Sequence, residues 1–174
     1  FDAVLAMGTF VTSFYRSASF PLSKLHVFAY FVDSPPALCN LSSEEKEKEL
    51  FKILFVGKLI RRKGLDLLFK ALAQSDISLE KIQLDIIGIG AEQSNLEAMA
   101  QELGLVQRIK FWGGQPNDLI PSHMQQADLF VLPSRWDGWG AVISESLMNG
   151  THVMCSDMCG ASNLVKASDC GGTF

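Results

Sequence analysis

Short, near-continuous apolar runs alternate with helix-length segments from residue 51 onward, and this alternation leaves few folds open to the chain. Ile53-Leu54-Phe55-Val56 and Leu84-Asp85-Ile86-Ile87 carry too few polar positions for strands with one wet face. Runs of this kind suit a parallel sheet covered by helices on both sides. Strands are expected at 51–56, 82–87, 108–112, 129–132 and 152–155, with helices at 64–73, 92–103, 119–126, 141–148 and 161–166. Leu65, Leu68, Phe69 and Leu72 recur at helical spacing, and Gly104 is placed to stop its helix in left-handed backbone. The pattern predicts an α/β fold, a doubly wound parallel sheet. In such sheets ligands lie beyond the carboxyl ends of the strands, so the loops that follow strands are where function is sought.

Residues 1–31 have a different grammar: an expected strand at 2–7, a helix at 9–16 with Thr9 as N-cap, and a strand at 25–31. Asp33-Ser34-Pro35-Pro36 then breaks the chain, and the charge run Ser42-Ser43-Glu44-Glu45-Lys46-Glu47-Lys48-Glu49 follows, so 32–49 reads as an exposed linker. With 174 residues, 48% hydrophobic and 20% charged, the chain has the composition of a globular domain. A net charge of -4 gives no overall basic footprint for nucleic acid. No apolar run approaches the roughly 20 residues that span a bilayer. The start, Phe1-Asp2-Ala3-Val4, lacks Met and is no signal peptide, and Gly171-Gly172-Thr173-Phe174 reads as the beginning of another strand. The expectation is therefore a piece of a longer protein. Cys39, Cys155, Cys159 and Cys170 have no partner Cys or His pair at zinc spacing and are read as reduced, partly buried thiols of a cytosolic protein, with no metal expected.

Five post-strand loops carry the chemistry. Gly57-Lys58-Leu59-Ile60-Arg61-Arg62-Lys63-Gly64 places four cations within six residues of an acidic protein. Between a strand and a helix, some of them would face a phosphate and form charge-assisted hydrogen bonds; the alternatives are a solvated basic loop or nucleic-acid contact. Gly88-Ile89-Gly90 lacks the third glycine of a dinucleotide fingerprint and reads as a place where backbone turns tightly or approaches a ligand. Phe111-Trp112-Gly113-Gly114 offers main chain to a base, or ordinary packing of Trp112. In Asp137-Gly138-Trp139-Gly140-Ala141-Val142-Ile143-Ser144-Glu145 two acids flank the start of a helix, an arrangement that sets a sugar or phosphate against a helix N-terminus. Glu145 is the only charged residue between Gly138 and Ser156, and a lone acid on the first turns of an apolar helix suggests a ligand; the alternative is a helix acid favoured by the macrodipole. Ser156-Asp157-Met158-Cys159-Gly160 ends the last of these strands, with Asp157 either touching the same ligand or capping the next turn. His26, His123 and His152 have no Ser or Cys at a nucleophile turn.

These segments, taken in order with Ala127-Asp128-Leu129-Phe130-Val131-Leu132-Pro133-Ser134, resemble the group 1 (family 4) retaining glycosyltransferases over roughly residues 1–174. The resemblance implies a GT-B architecture of two Rossmann-like domains across a cleft. Residues 1–31 would be the tail of the N-terminal, acceptor-side domain, and 50–174 the C-terminal nucleotide-sugar-binding domain. It further implies sugar transfer with retention from a UDP, GDP or ADP donor, without metal or other cofactor. The acceptor, a glycan, lipid or other molecule, would sit in the absent N-terminal domain, and the isolated piece would be inactive. Of the family's E-x7-E pattern, the second acid falls on Glu145, for the ribose hydroxyls, and the first on Asp137, near the sugar. Lys58 and Lys63 match the basic pair that neutralises the diphosphate. Gly57, Gly88, Trp112, Gly113, Gly138, Trp139, Gly140, Ala141 and Val142 would line the donor. Asp137 in place of Glu, Lys58 in place of Arg, and Asn163 in place of a common Glu are departures. A cytoplasmic location, with peripheral membrane contact of the parent, goes with the resemblance. A non-catalytic scaffold of the same fold and a nucleotide-sugar epimerase of the same architecture are the competing readings.

Overall fold

The computed structural model describes residues 2–29 and 50–174, so the expected linker at 32–49 and Cys39 lie outside the described residues. Two parallel sheets are formed. The smaller pairs β1 (Val4–Met7) with β2 (Leu25–Phe28), connected through α1 (Gly8–Ser17). Helix α1 begins one residue earlier than expected: Met7 is its N-cap, no side chain caps it, and Thr9 lies inside the first turn.

The larger sheet has six parallel strands, β3 (Phe51–Val56), β4 (Ile82–Ile87), β5 (Ile109–Gly113), β6 (Leu129–Leu132), β7 (His152–Cys155) and β8 (Gly171–Thr173). Their spatial order is β5-β4-β3-β6-β7-β8. The connecting helices are α2 (Leu65–Gln74), α3 (Gln93–Glu102), α4 (Ile120–Gln126), α5 (Ala141–Met148) and α6 (Ser162–Ser168). The chain winds outward from β3 to β5, returns through α4 to pair β6 with β3, and winds outward the other way. Right-handed crossovers then put α2 and α3 on one face and α4, α5 and α6 on the other, and the helices pack against one another in those groups. This is the doubly wound α/β sheet. Its core is the apolar layer the strand runs supply: Leu54, Phe55, Leu84, Ile86, Phe130, Leu132 and Val153 are all almost fully buried, with Phe69, Met124 and Ile143 from the helices.

Coverage is uneven. The sequence suggests two buried faces along the whole sheet, but β4 buries Ile82, Leu84 and Ile86 while Gln83 and Asp85 are only half-buried. Helix α4 reaches across to β3, so the second face of β4 and β5 borders a cavity of about 250 Å³ lined by Lys52, Gln83, Asp85, Lys110, Trp112 and His123. The alternation in β4 follows from that half-open face. Among the described residues no helix is long and apolar enough to cross a membrane.

Candidate functional site

The strand order reverses between β3 and β6, and the loops that leave these two neighbours diverge to opposite faces. Parallel sheets bind ligands at this switch point, and here both loops are rich in charge. The backbone first brings them into contact. Gly64 sits in left-handed conformation (φ 72°) with its Cα so close to β6's exit that a Cβ would fall 2.0 Å from the Pro133 carbonyl oxygen. Gly88 does the same one strand over: a Cβ would fall 1.9 Å from the Gly57 carbonyl oxygen, and its N–H donates to Gly113 O at 2.8 Å. The Gly-rich strand ends thus let the three loops after β3, β4 and β5 lie backbone to backbone.

Side chains then lock the β3–α2 loop to the β6–α5 loop. Lys63 Nζ donates to Asp137 Oδ2 at 2.5 Å, and Arg62 Nη1 lies 3.7 Å from Asp137 Oδ1. The Lys63 and Asp137 side chains are only 13% and 10% exposed, so this pair is well shielded from screening by water. Arg62 also donates to Trp136 O at 3.0 Å and stacks over the exposed Trp136 ring. Arg135 forms a bidentate pair with Asp66, at 2.7 and 2.6 Å, and donates to Arg61 O at 2.8 Å. The β7–α6 loop completes the frame: Asp137 N–H donates to Met158 O and Gly160 N–H to Asp137 O, each at 3.0 Å.

The sequence-predicted residues separate accordingly. Lys63 and Asp137 are brought into contact, and Gly57, Gly88 and Gly113 line the adjoining strand ends. Lys58 is exposed on the same loop, with no ion pair among the described residues; Arg62 stands by Asp137 instead. The short helical turn Arg61–Lys63 decides which cations face the acid, and a run of four cations does not show where such a turn falls. Trp112 is turned away from the loops, onto the half-open sheet face. There Lys110 Nζ lies 3.5 Å from its ring centroid and His123 packs edge-on against it. Only the main chain of this segment is available at the strand end. Asp157 pairs with Lys166 of α6 at 2.9 Å rather than capping a turn.

Gly138 is exposed, with nothing within 4 Å of where a Cβ would stand. Gly140, in left-handed backbone, is the N-cap of α5, so the Ala141 and Val142 amides are first-turn donors without an acceptor inside the helix. Trp139 faces a cavity of about 350 Å³ bounded by α1, β2 and Gly160. Glu145, in the second turn of α5, is half-buried; burial pushes its carboxyl above the usual range, and no hydrogen bond or ion pair engages it among the described residues. A raised folded-state value means that the ionised form is the disfavoured one. Ionised Glu145 therefore costs stability in full above its folded-state value; the cost shrinks as pH falls below that value and is gone below the ordinary carboxyl range. Glu145→Gln should accordingly raise Tm at pH 7.5, with the gap closing in acid. A Tm difference that is the same at pH 7.5 and pH 4.5 would contradict the assignment. Among the described residues no three His, Cys, Asp or Glu side chains gather as metal ligands.

The doubly wound six-stranded parallel sheet matches the Rossmann-like half of GT-B glycosyltransferases. Residues 40–173 match the family Glycosyl transferases group 1, and the chain belongs to that family. It is 27% identical over 183 residues to the GDP-mannose-dependent alpha-(1-6)-phosphatidylinositol monomannoside mannosyltransferase of Mycobacterium tuberculosis, covering 98% of this chain and 48% of that one. Alpha-D-kanosaminyltransferase of Streptomyces kanamyceticus is 26% identical over 165 residues, 90% of this chain and 42% of that enzyme. The chain thus spans about half the length of the curated relatives it matches. The crystal structure of Anabaena HepE in complex with UDP has a TM-score of 0.81 at 25% identity, covering 99% of this chain and 50% of that one.

Proposed function

We propose that this chain carries the donor site of a glycosyltransferase that moves a sugar from a nucleoside-diphosphate donor with retention of configuration and without a metal. The observation that carries the reading is the shielded Lys63–Asp137 pair, with Arg62 beside it, at the point where the sheet's strand order reverses. Glu145, half-buried and unengaged on the helix that follows, suits an acceptor of two ribose hydroxyl protons. Lys63 and Arg62, with Lys58 free to swing in, would stabilise the charge that develops on the leaving diphosphate. Asp137 would orient the sugar, and the open main chain from Gly138 to Val142 would face sugar or phosphate.

The mycobacterial relative is named for a GDP-mannose donor and the Anabaena structure holds UDP; both support a nucleotide donor, and they differ in the base. Residues 1–31 are read as the acceptor-side piece, 32–49 as the connection and 50–174 as the donor half. The acceptor would be taken from the facing half of the cleft. The test is a ligand-observed NMR titration of UDP, GDP and ADP against the chain, with Glu145→Ala and Lys63→Ala in parallel. One nucleotide should bind selectively and lose about tenfold or more in both variants, the equivalent of one charge-assisted hydrogen bond. No binding of any of the three, by the chain or by the full-length protein, would favour a non-catalytic scaffold.

A further inference from the structure

Four cations between Lys58 and Lys63 repel one another, and nothing within that loop neutralises them. The ordering comes from Arg135, 69 residues from Asp66 in sequence and on the neighbouring strand's loop. Its main-chain N–H donates to Arg62 O at 2.8 Å, its Nη1 to Arg61 O at 2.8 Å, and both Nη atoms to the Asp66 carboxylate. Arg61 O also accepts from Gly64 N–H, so one carbonyl is fixed from two sides. The three-residue turn Arg61–Lys63 is thereby held at both of its first two carbonyls, and Lys63 leaves it aimed at Asp137, two residues beyond Arg135. The short segment that supplies the acid also supplies the brace for the cation that meets it.

We propose that Arg135 is a positioning residue, using its guanidinium on Asp66 and Arg61 O to aim Lys63 at the phosphate end of the ligand without touching the ligand itself. This rests on the donor-site reading above. The Nη1–Nη2 edge of Arg135 is occupied by Asp66, whose carboxyl the Arg135 hydrogen bonds hold below the usual carboxylate range, and Nη1 also donates to Arg61 O, so that edge is committed to the loops and not to a phosphate. A lysine cannot replace it, because one ammonium point does not reproduce two parallel bonds to a carboxylate together with a third to a carbonyl.

The role has a readout that a plain staple between loops lacks. A nucleoside diphosphate presents a second phosphate to Lys63, whereas a monophosphate does not, so misaiming Lys63 should lower affinity for the diphosphate alone. UDP and UMP, and GDP and GMP, are titrated against the wild-type chain, Arg135→Lys, and the swapped pair Asp66→Arg/Arg135→Asp, with Tm recorded for each. The wild type should prefer the diphosphate. Arg135→Lys should lose about tenfold for the diphosphate and less than about twofold for the monophosphate. The swap restores an ion pair but no donor for Arg61 O, and should recover Tm without recovering diphosphate affinity. A diphosphate preference that survives in Arg135→Lys, or returns with Tm in the swap, overturns the positioning role and leaves the donor site standing. No binding of any of the four, by the wild-type chain or by the full-length protein, overturns both.

Discussion

Lys63→Ala and Asp137→Asn should move nucleoside diphosphate affinity in opposite directions, although they disable the same ion pair. In the free site Lys63 is already neutralised: its ammonium lies on Asp137 Oδ2, and both side chains are nearly buried. A diphosphate must therefore take Lys63 from Asp137. Lys63→Ala removes the cation, and the ligand then meets an acid held only by Arg62 at 3.7 Å. Losing one charge-assisted hydrogen bond costs about 1.5–3 kcal/mol, or about ten- to a hundredfold in affinity. Asp137→Asn keeps the shape and an acceptor oxygen but leaves a largely shielded ammonium without counter-charge. Breaking such a pair from one side costs about 3 kcal/mol of fold stability, less where the lysine reaches water. The diphosphate restores the missing charge, so UDP or GDP should bind this variant several-fold more tightly and raise its Tm more than it raises that of the wild type. Sugar transfer by the full-length protein should nonetheless fall, since Asp137 would no longer orient the sugar. Calorimetric titration of both variants decides: equal weakening in the two would mean that Lys63 does not meet the phosphate.

Much of the sheet was legible because a buried parallel strand announces itself locally. The strands at 51–56, 82–87, 129–132 and 152–155 and helix α5 at 141–148 occupy the expected residues. The runs at 53–56 and 129–132 are apolar throughout and suit a covered layer, whereas the alternation of Gln83 and Asp85 in β4 and of His152 and Met154 in β7 follows faces that are only partly covered. Glu145 was legible for the same reason inverted, as the one charge in an apolar helix. What stayed hidden depends on strand order, which no local pattern carries. Nothing local pairs Asp66, at the start of α2, with Arg135, in the β6–α5 loop, until β3 and β6 are known to be neighbours. The choice of Arg62 over Lys58 at the acid depends on where a three-residue turn falls, and the orientation of Trp112 on whether α4 covers β5. Thr9 reads as a cap because its type favours caps, yet α1 starts at Gly8 without any side-chain cap.

Gly64→Ala should be a severely damaging single-methyl change, and the loss should exceed what backbone conformation alone explains. At φ 72° an alanine is strained by about 1–2 kcal/mol. The added Cβ would also stand 2.0 Å from Pro133 O, and no flexible side chain is there to give way. The β3–α2 and β6–α5 loops must separate, at a further cost of about 1–3 kcal/mol. For a chain of this size, each kcal/mol shifts Tm by about 2–4 °C, so the combined drop should approach 10 °C or more. Gly104→Ala supplies the control: its φ is 69°, nearly the same, but nothing lies within 4 Å of its Cβ position. That variant should lose only the backbone share. The difference between the two isolates the price of parting the loops, and separation carries Lys63 away from Asp137. Gly64→Ala should therefore also lose diphosphate affinity at temperatures where it remains folded, while Gly104→Ala keeps it. Equal Tm losses in the two variants would mean that the loops part without strain, and that the close approach of Gly64 to Pro133 is not what holds the site together.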